Sequence, residues 1–180
     1  MKVAVCLSGQ LRWVEECYPK IYKNIIEPNN ADVFIHSWYS SKIEGQVFTE
    51  HGPNSTFFKG RLLKGVDKKT VDLYKPKSYL FEDQKDFSSQ TKDIDISPYS
   101  TPAVNQFSMF YSIMKSNLLK KEYEIKNDFK YDCVIRCRFD LIPGEIFKAE
   151  KYDLNMLNVK GDCIHTSYCI NDHFCISNSN

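Results

Sequence analysis

At 180 residues the chain has the length of one domain, enough to bury roughly 70% of its unfolded surface. Hydrophobic residues make up 42% and charged residues 26%, the balance of a globular protein, and aromatics at 14% suit a substantial core or a pocket with stacking walls. With 24 basic and 23 acidic residues the net charge is +1, which argues against a nucleic-acid binder; any bound anion must be gripped locally by a few placed cations.

Lys2 to Leu7 reads as a first strand, apolar on both faces as a central parallel strand should be. Its apolar run, Val3 to Leu7, is too short for a signal-peptide core or a membrane span, so the reading is a cytoplasmic protein without a transmembrane segment. Seven cysteines, an odd number without a regular framework, agree with reduced thiols. Ser8-Gly9-Gln10 is a turn, and Leu11 to Ile26 follows with helical periodicity, kinked or divided at Pro19.

Ala31 to Trp38 predicts a second strand, and the polar stretch from Tyr39 to Gly65 a long loop or small insertion. Asp67 is placed to cap a short helix, Lys68 to Tyr74, which Pro76 ends; Lys77 to Glu82 is a third strand. Asp83 to Ser100 lacks periodicity and reads as a second loop. Thr101-Pro102 predicts a helix start, with an apolar stripe of Val104, Phe107, Phe110 or Tyr111, Met114 and Leu118 running to about Tyr123. Asp132 to Phe139 is a fourth strand, and Cys163 to Ile170 and His173 to Ser177 suggest two more. Strands alternating with helices predict one α/β domain over residues 1–180.

Chemistry concentrates in the fourth strand. Side chains alternate along it, so Cys133, Ile135, Cys137 and Phe139 form an apolar face, and Val134, Arg136, Arg138 and Asp140 the other. The polar groups gather at the carboxyl end, where ligands bind open α/β sheets. Two guanidiniums roughly 7 Å apart repel, and burying them without anions is costly. One solution is an internal ion-pair network, with Asp140 and either Glu82 or Asp32 as partners. The other is a diphosphate site, in which arginines hold phosphate oxygens in forked geometry and Asp140 binds a bridging cation. The turn after the first strand favours the second: Ser8 and Gly9 let backbone approach a ligand, and Arg12 lies about one helical turn on. Neither a Walker loop nor a dinucleotide glycine fingerprint is present.

MKVAVCLSGQLR, NNADVFIHSW, YDCVIRCRFDLI and INDHFCIS together resemble a family of small bacterial and viral glycosyltransferase-like proteins, similar to GT-A-fold nucleotide-sugar enzymes. The resemblance implies a GT-A-like, Rossmann-like three-layer α/β/α sandwich with a mostly parallel sheet. It implies transfer of a sugar from a nucleotide-diphosphate sugar donor to a glycan or lipid-linked acceptor. It further implies Ser8, Gly9 and Arg12 along the nucleotide, Arg136 and Arg138 toward phosphate or in a structural role, and Asp140 as ligand to a divalent cation, Mn²⁺ or Mg²⁺. The R-x-R-x-D strand end is the counterpart of a D-x-D motif, with Arg138 in the first acidic position. One aspartate beside an arginine is a poorer metal site than two carboxylates, and the arginine itself can stabilise the leaving diphosphate. Asn171-Asp172-His173 is similar to the segment that faces the donor sugar, which makes Asp172 the candidate catalytic base or sugar clamp; a loop aspartate capping a turn remains the alternative. GT-A domains continue with a helix where this chain stops, so a short form or a C-terminally truncated fragment is expected.

Other functions stay open on the residues alone: an inactive module that binds nucleotide or glycan, and a nucleotidyltransferase or phosphohydrolase. Trp38 could stack on a base but fits a core aromatic better, and His36 reads as a neutral, hydrogen-bonded histidine. Lys115 and Asn105 could reach a phosphate or sugar, though a solvated helix face is their default. Cys163, His165, Cys169, His173 and Cys175 could supply zinc ligands, but their spacing matches no common module and buried thiols are the simpler reading.

Overall fold

The computed structural model describes residues 1–51, 57–94, 102–159 and 173–179. Its centre is a six-stranded, mostly parallel sheet. The strands are β1 (Val3–Gly9), β2 (Asp32–Trp38), β5 (Ser78–Glu82), β6 (Cys133–Cys137), β7 (Asn158–Val159) and β8 (Phe174–Ser177), in the order β5-β2-β1-β6-β8-β7. β5, β2, β1 and β6 run parallel, whereas β8 is antiparallel to both β6 and β7. β1 is as apolar as its central place demands: Val3 to Leu7 are all at most 2% exposed.

Helices cover both faces. On one, α1 (Val14–Ile21) and α2 (Val66–Tyr74) pack Val14, Ile21 and Val66 against Val5, Ile35 and Ile135. On the other, α4 (Ala103–Lys126) lies over Ala4, Cys6, Phe34 and Val134. The alternation read from the fourth strand holds: Cys133, Ile135, Cys137 and Phe139 join the α1/α2 core, and Val134 joins the α4 side. This is an α/β sandwich, compatible with a Rossmann-like arrangement.

Several boundaries differ from the sequence reading. α1 starts at Val14, not Leu11, because Trp13 adopts a left-handed conformation (φ 51°). Pro19 stays inside α1; the ladder then widens into a π-helical turn over Tyr22–Ile26 and tightens into a 3₁₀ turn over Glu27–Asn29. α2 begins at Val66 behind Gly65, and Asp67 makes no capping hydrogen bond. The expected loop from Tyr39 to Gly65 carries an antiparallel hairpin, β3 (Val47–His51) with β4 (Phe57–Arg61). Gly60 permits it: a Cβ there would lie 2.5 Å from the Phe48 ring, which instead packs edge-on against Trp13 at 5.6 Å. The second expected loop contains a single helical turn, α3 (Ser88–Thr91). Thr101 and the strand expected over 163–170 lie outside the described residues.

The largest departure is α4. Its sequence stripe predicts Phe107, Phe110, Met114 and Leu118 facing the core, yet these are 39–61% exposed, and Ile125 is 72% exposed. Ser112, Ser116, Lys120 and Glu124 face inward, at 5% exposure or less. The inward polar groups are all partnered. Ser116 bonds the Ile113 carbonyl, and Lys120 pairs with Glu124 at 3.0 Å. Ser179 donates to Glu124 Oε1 at 2.7 Å, and the Tyr131 N–H donates to the same oxygen at 2.8 Å. Buried polar groups with partners of this kind lose little on leaving water, which is why periodicity alone misassigns the inward face. Among the described residues no helix is long and apolar enough to cross a membrane.

Candidate functional site

The sheet order reverses between β1 and β6. The chain builds outward from β1 through β2 to β5, then returns to lay β6 on the other side of β1. Loops leaving two such neighbours diverge and open a crevice at their carboxyl ends, the usual ligand position in open α/β sheets. Register places Cys6 beside Arg136 and Leu7 beside Cys137. The ladder ends at that pair, and Ser8 and Arg138 are the next residues along the two strands. Ser8, Gly9, Arg136, Arg138 and Asp140 are therefore brought to one edge.

Arg136 is 5% exposed and pairs across the sheet with Cys6 on one side and Cys175 on the other. Arg138 and Asp140 form a forked ion pair: Nε donates to Oδ1 at 2.7 Å and Nη2 to Oδ2 at 2.5 Å. The Arg138 side chain is 31% exposed and that of Asp140 9%. The Arg138 backbone N–H donates to the His173 carbonyl at 3.2 Å, which anchors the start of β8 to the end of β6. Of the acids considered as arginine partners, Asp140 takes that role with Arg138. Glu82 instead meets His36, and Asp32 meets Tyr131 and Lys77.

The turn after β1 is shaped by Gly9 at φ +120°, a conformation open to glycine and strained for other residues. Its N–H does not point freely into the crevice but donates to Ser112 Oγ on α4 at 3.0 Å. Ser8 is 1% exposed, and among the described residues its hydroxyl has no hydrogen-bond partner. A buried hydroxyl left unsatisfied costs about 1–3 kcal/mol, so a polar ligand reaching it gains that much. Arg12 turns back along the loop: its Nε donates to Gln10 Oε1 at 2.7 Å, and its guanidinium sits 4.9 Å from the Phe48 ring centre. A small cavity of about 150 Å³ lies here, lined by Gln10, Arg12, Gln46, Phe48 and neighbours.

Behind the turn runs a hydrogen-bonded chain with no sequence motif to announce it. His36 is fully buried; its Nδ1 lies 2.8 Å from Ser112 Oγ and its Nε2 2.9 Å from Glu82 Oε1. Burial pulls the His36 pKa below its usual value despite the hydrogen bond to Glu82, so the ring is neutral. A carboxylate only accepts, so Nε2 carries the proton and Nδ1 accepts from the Ser112 hydroxyl. The chain then reads Gly9 N–H to Ser112, Ser112 O–H to His36, and His36 N–H to Glu82. Burial raises the Glu82 pKa, but its bond from His36, the charge of Lys85 and contact with Tyr111 outweigh that and lower it overall. Trp38 closes this corner, 2% exposed and stacked on Tyr111 at 5.1 Å and 18°. It serves as a core aromatic. Ser112 is recognisable in the sequence only as a small polar residue within a helix, and nothing there tells which way it faces.

Asp172 lies outside the described residues, as do Cys163, His165 and Cys169. The five described cysteines carry free thiols, and burial pushes Cys6 and Cys137 up to about 12, far from reactive thiolates. Asn105 is exposed at the start of α4, and Lys115 sits 5.5 Å from the Tyr111 ring centre. For a divalent cation the fit is poor: both Asp140 oxygens are engaged by Arg138, and among the described residues no three His, Cys, Asp or Glu side chains cluster. A second concavity, about 840 Å³ and open, runs along the other half of α4 between Met114, Ile125, Val134 and Ser179. It lies toward the amino ends of the parallel strands, away from the switch point.

Fold and site together define an α/β protein with a mostly parallel sheet and an arginine-bearing strand end at the switch point. Comparisons with protein-family models, with curated proteins and with solved structures each returned no match.

Proposed function

We propose that the chain is a GT-A-like glycosyltransferase that takes a nucleotide-diphosphate sugar at the switch point and passes the sugar to a glycan or lipid-linked acceptor. One observation carries the reading: the β1 turn, with its unsatisfied Ser8 hydroxyl, and the arginine-bearing end of β6 are adjacent, at the carboxyl edge where the strand order reverses. Arg138 is held with its fork preset by Asp140, and a third of it is open to solvent, so a diphosphate oxygen can reach it without a rotamer search. Arg136, deeper on the same face, adds a fixed positive field as charge grows on the leaving diphosphate. The acceptor oxygen forms its bond to the anomeric carbon as the bond from that carbon to the diphosphate oxygen breaks, and the diphosphate leaves with the electron pair. The acceptor proton goes to a base, the role the resemblance assigns to Asp172. No step is routed through a metal.

Calorimetry with UDP, GDP and CDP, with and without Mn²⁺, tests the binding half, and hydrolysis of intact nucleotide sugars tests the transfer half. Asp140→Asn is expected to abolish transfer while the fold stays intact; equal activity in that variant would overturn the assignment. A second reading, nucleotide or glycan binding without transfer, is favoured by the Arg138–Asp140 fork, which leaves the acid's oxygens occupied. Nucleotide binding without hydrolysis or transfer would select it, and release of pyrophosphate would select nucleotidyl transfer instead.

A further inference from the structure

The outward face of α4 is apolar apart from the exposed Lys121, which falls between Phe110 and Met114 around the helix. At about 100° per residue, Phe107, Met114, Leu118 and Ile125 fall within roughly 40° of one another, with Phe110 on their flank. They point away from the buried Ser112, Ser116, Lys120 and Glu124, and each is 39–72% exposed. At about 200 Å² for a whole side chain, these five expose on the order of 500 Å² of apolar surface, the size of the largest patch on a typical monomer, which is often functional. Two such faces together supply about 1,000 Å², the lower bound for a specific protein interface.

The stripe also reads nearly the same in both directions. Phe107 and Ile125 lie equally far from position 116, and so do Met114 and Leu118. An antiparallel pair of α4 helices crossing at that level therefore sets Phe107 against the partner's Ile125 and Met114 against the partner's Leu118, each contact made twice. This is the self-complementarity that an isologous twofold interface requires. We propose that a second copy of this chain covers the outward face of α4, the two helices packing antiparallel about a twofold axis level with Ser116. Met114, Leu118 and Ile125 also border the open concavity toward the amino ends of the strands, so the contact lies at that end and leaves the carboxyl edge of the sheet uncovered.

Sedimentation velocity on the full chain, from about 1 to about 200 µM, tests it. The expected result is a mass rising toward twice that of the chain. Leu118→Lys, an exposed change that leaves the thermal midpoint in place, should hold the protein monomeric over the whole range. Register is read by oxidation, against the unsubstituted chain as background. Phe107→Cys mixed with Ile125→Cys should give a disulfide-linked pair. Phe107→Cys alone should not, because antiparallel packing holds its two copies about 27 Å apart along the helices. A monomer at every concentration, a dimer untouched by Leu118→Lys, or cross-linking of Phe107→Cys with itself would each overturn the proposal.

Discussion

Ser112 ties the turn after β1 to the buried histidine of β2: its hydroxyl accepts the Gly9 N–H at 3.0 Å and lies 2.8 Å from His36 Nδ1. Ser112→Ala removes both partners in a site 1% exposed and leaves an N–H and a ring nitrogen without water. The expected loss is about 2 kcal/mol of folding stability, read as a lower urea midpoint at an unchanged slope. A loss below about 0.5 kcal/mol would show that the Gly9 turn is held by other contacts.

The same chain makes stability depend on pH. Burial lowers the His36 pKa from its ordinary value of 6.5, so the unfolded state binds a proton more readily than the folded one. Stability is then full above about pH 6.5 and falls as the pH drops from there toward the depressed folded value. Glu82, also lowered, adds a loss in the same direction below its ordinary value of 4.5. His36→Gln should flatten the upper part of this profile while leaving the lower part. An unchanged slope between pH 6.5 and 5 would assign the dependence to other groups.

Arg138 and Arg136 separate in their expected effects. Arg138 is partly exposed but Asp140 is only 9% exposed, so Arg138→Ala should cost about 1–3 kcal/mol and still fold. It should weaken UDP binding at least tenfold (about 1.4 kcal/mol) and leave uridine binding unchanged, because only the diphosphate brings anionic oxygens to the guanidinium. Arg138→Lys should recover only part of the loss, since an ammonium cannot make two parallel bonds. Calorimetry of the three proteins decides the matter; equal UDP affinity in all of them would remove the arginine from the site.

How far this molecule could be read from its residues depended on what each signal reports. β6 was legible because alternation on a strand has one meaning: the face bearing Cys133, Ile135 and Cys137 is in the core, and the arginines come out on the other side at the carboxyl edge. The switch point was not legible, because nothing in the residues says that β6 lies beside β1; only the pairing of Val3 to Leu7 with Cys133 to Cys137 places it there. The hairpin β3–β4 was hidden because five-residue strands in a polar stretch carry no alternating core. α4 was located within a few residues but turned half a revolution from its true orientation. Its periodicity is real, yet the inward stripe is a set of polar groups satisfied by one another, and apolar pattern alone ranks such a face as solvent-exposed. The Ser112–His36–Glu82 chain was lost with it, since Ser112 belongs to that inward stripe.

The inward stripe of α4 can be tested at its most buried charges. The side chains of Lys120 and Glu124 are only 5% and 7% exposed, paired at 3.0 Å, with Ser179 in contact with both. Burial raises the Glu124 pKa, but the bonds from Ser179, Tyr131 and Lys120 and the lysine's charge outweigh it, so the acid stays ionised. Lys120→Ala leaves that carboxylate buried without its cation and should cost about 3 kcal/mol. Adding Glu124→Gln to Lys120→Met removes both charges yet retains an acceptor for the Tyr131 N–H, and should recover most of the loss. Lys120→Met alone keeps the side-chain volume but leaves the carboxylate unpaired, so its difference from the double variant isolates the unpaired charge. If Lys120→Ala and the neutral double variant unfold at the same urea concentration as the parent, α4 does not present this face to the sheet, and the outward apolar stripe loses its basis as well.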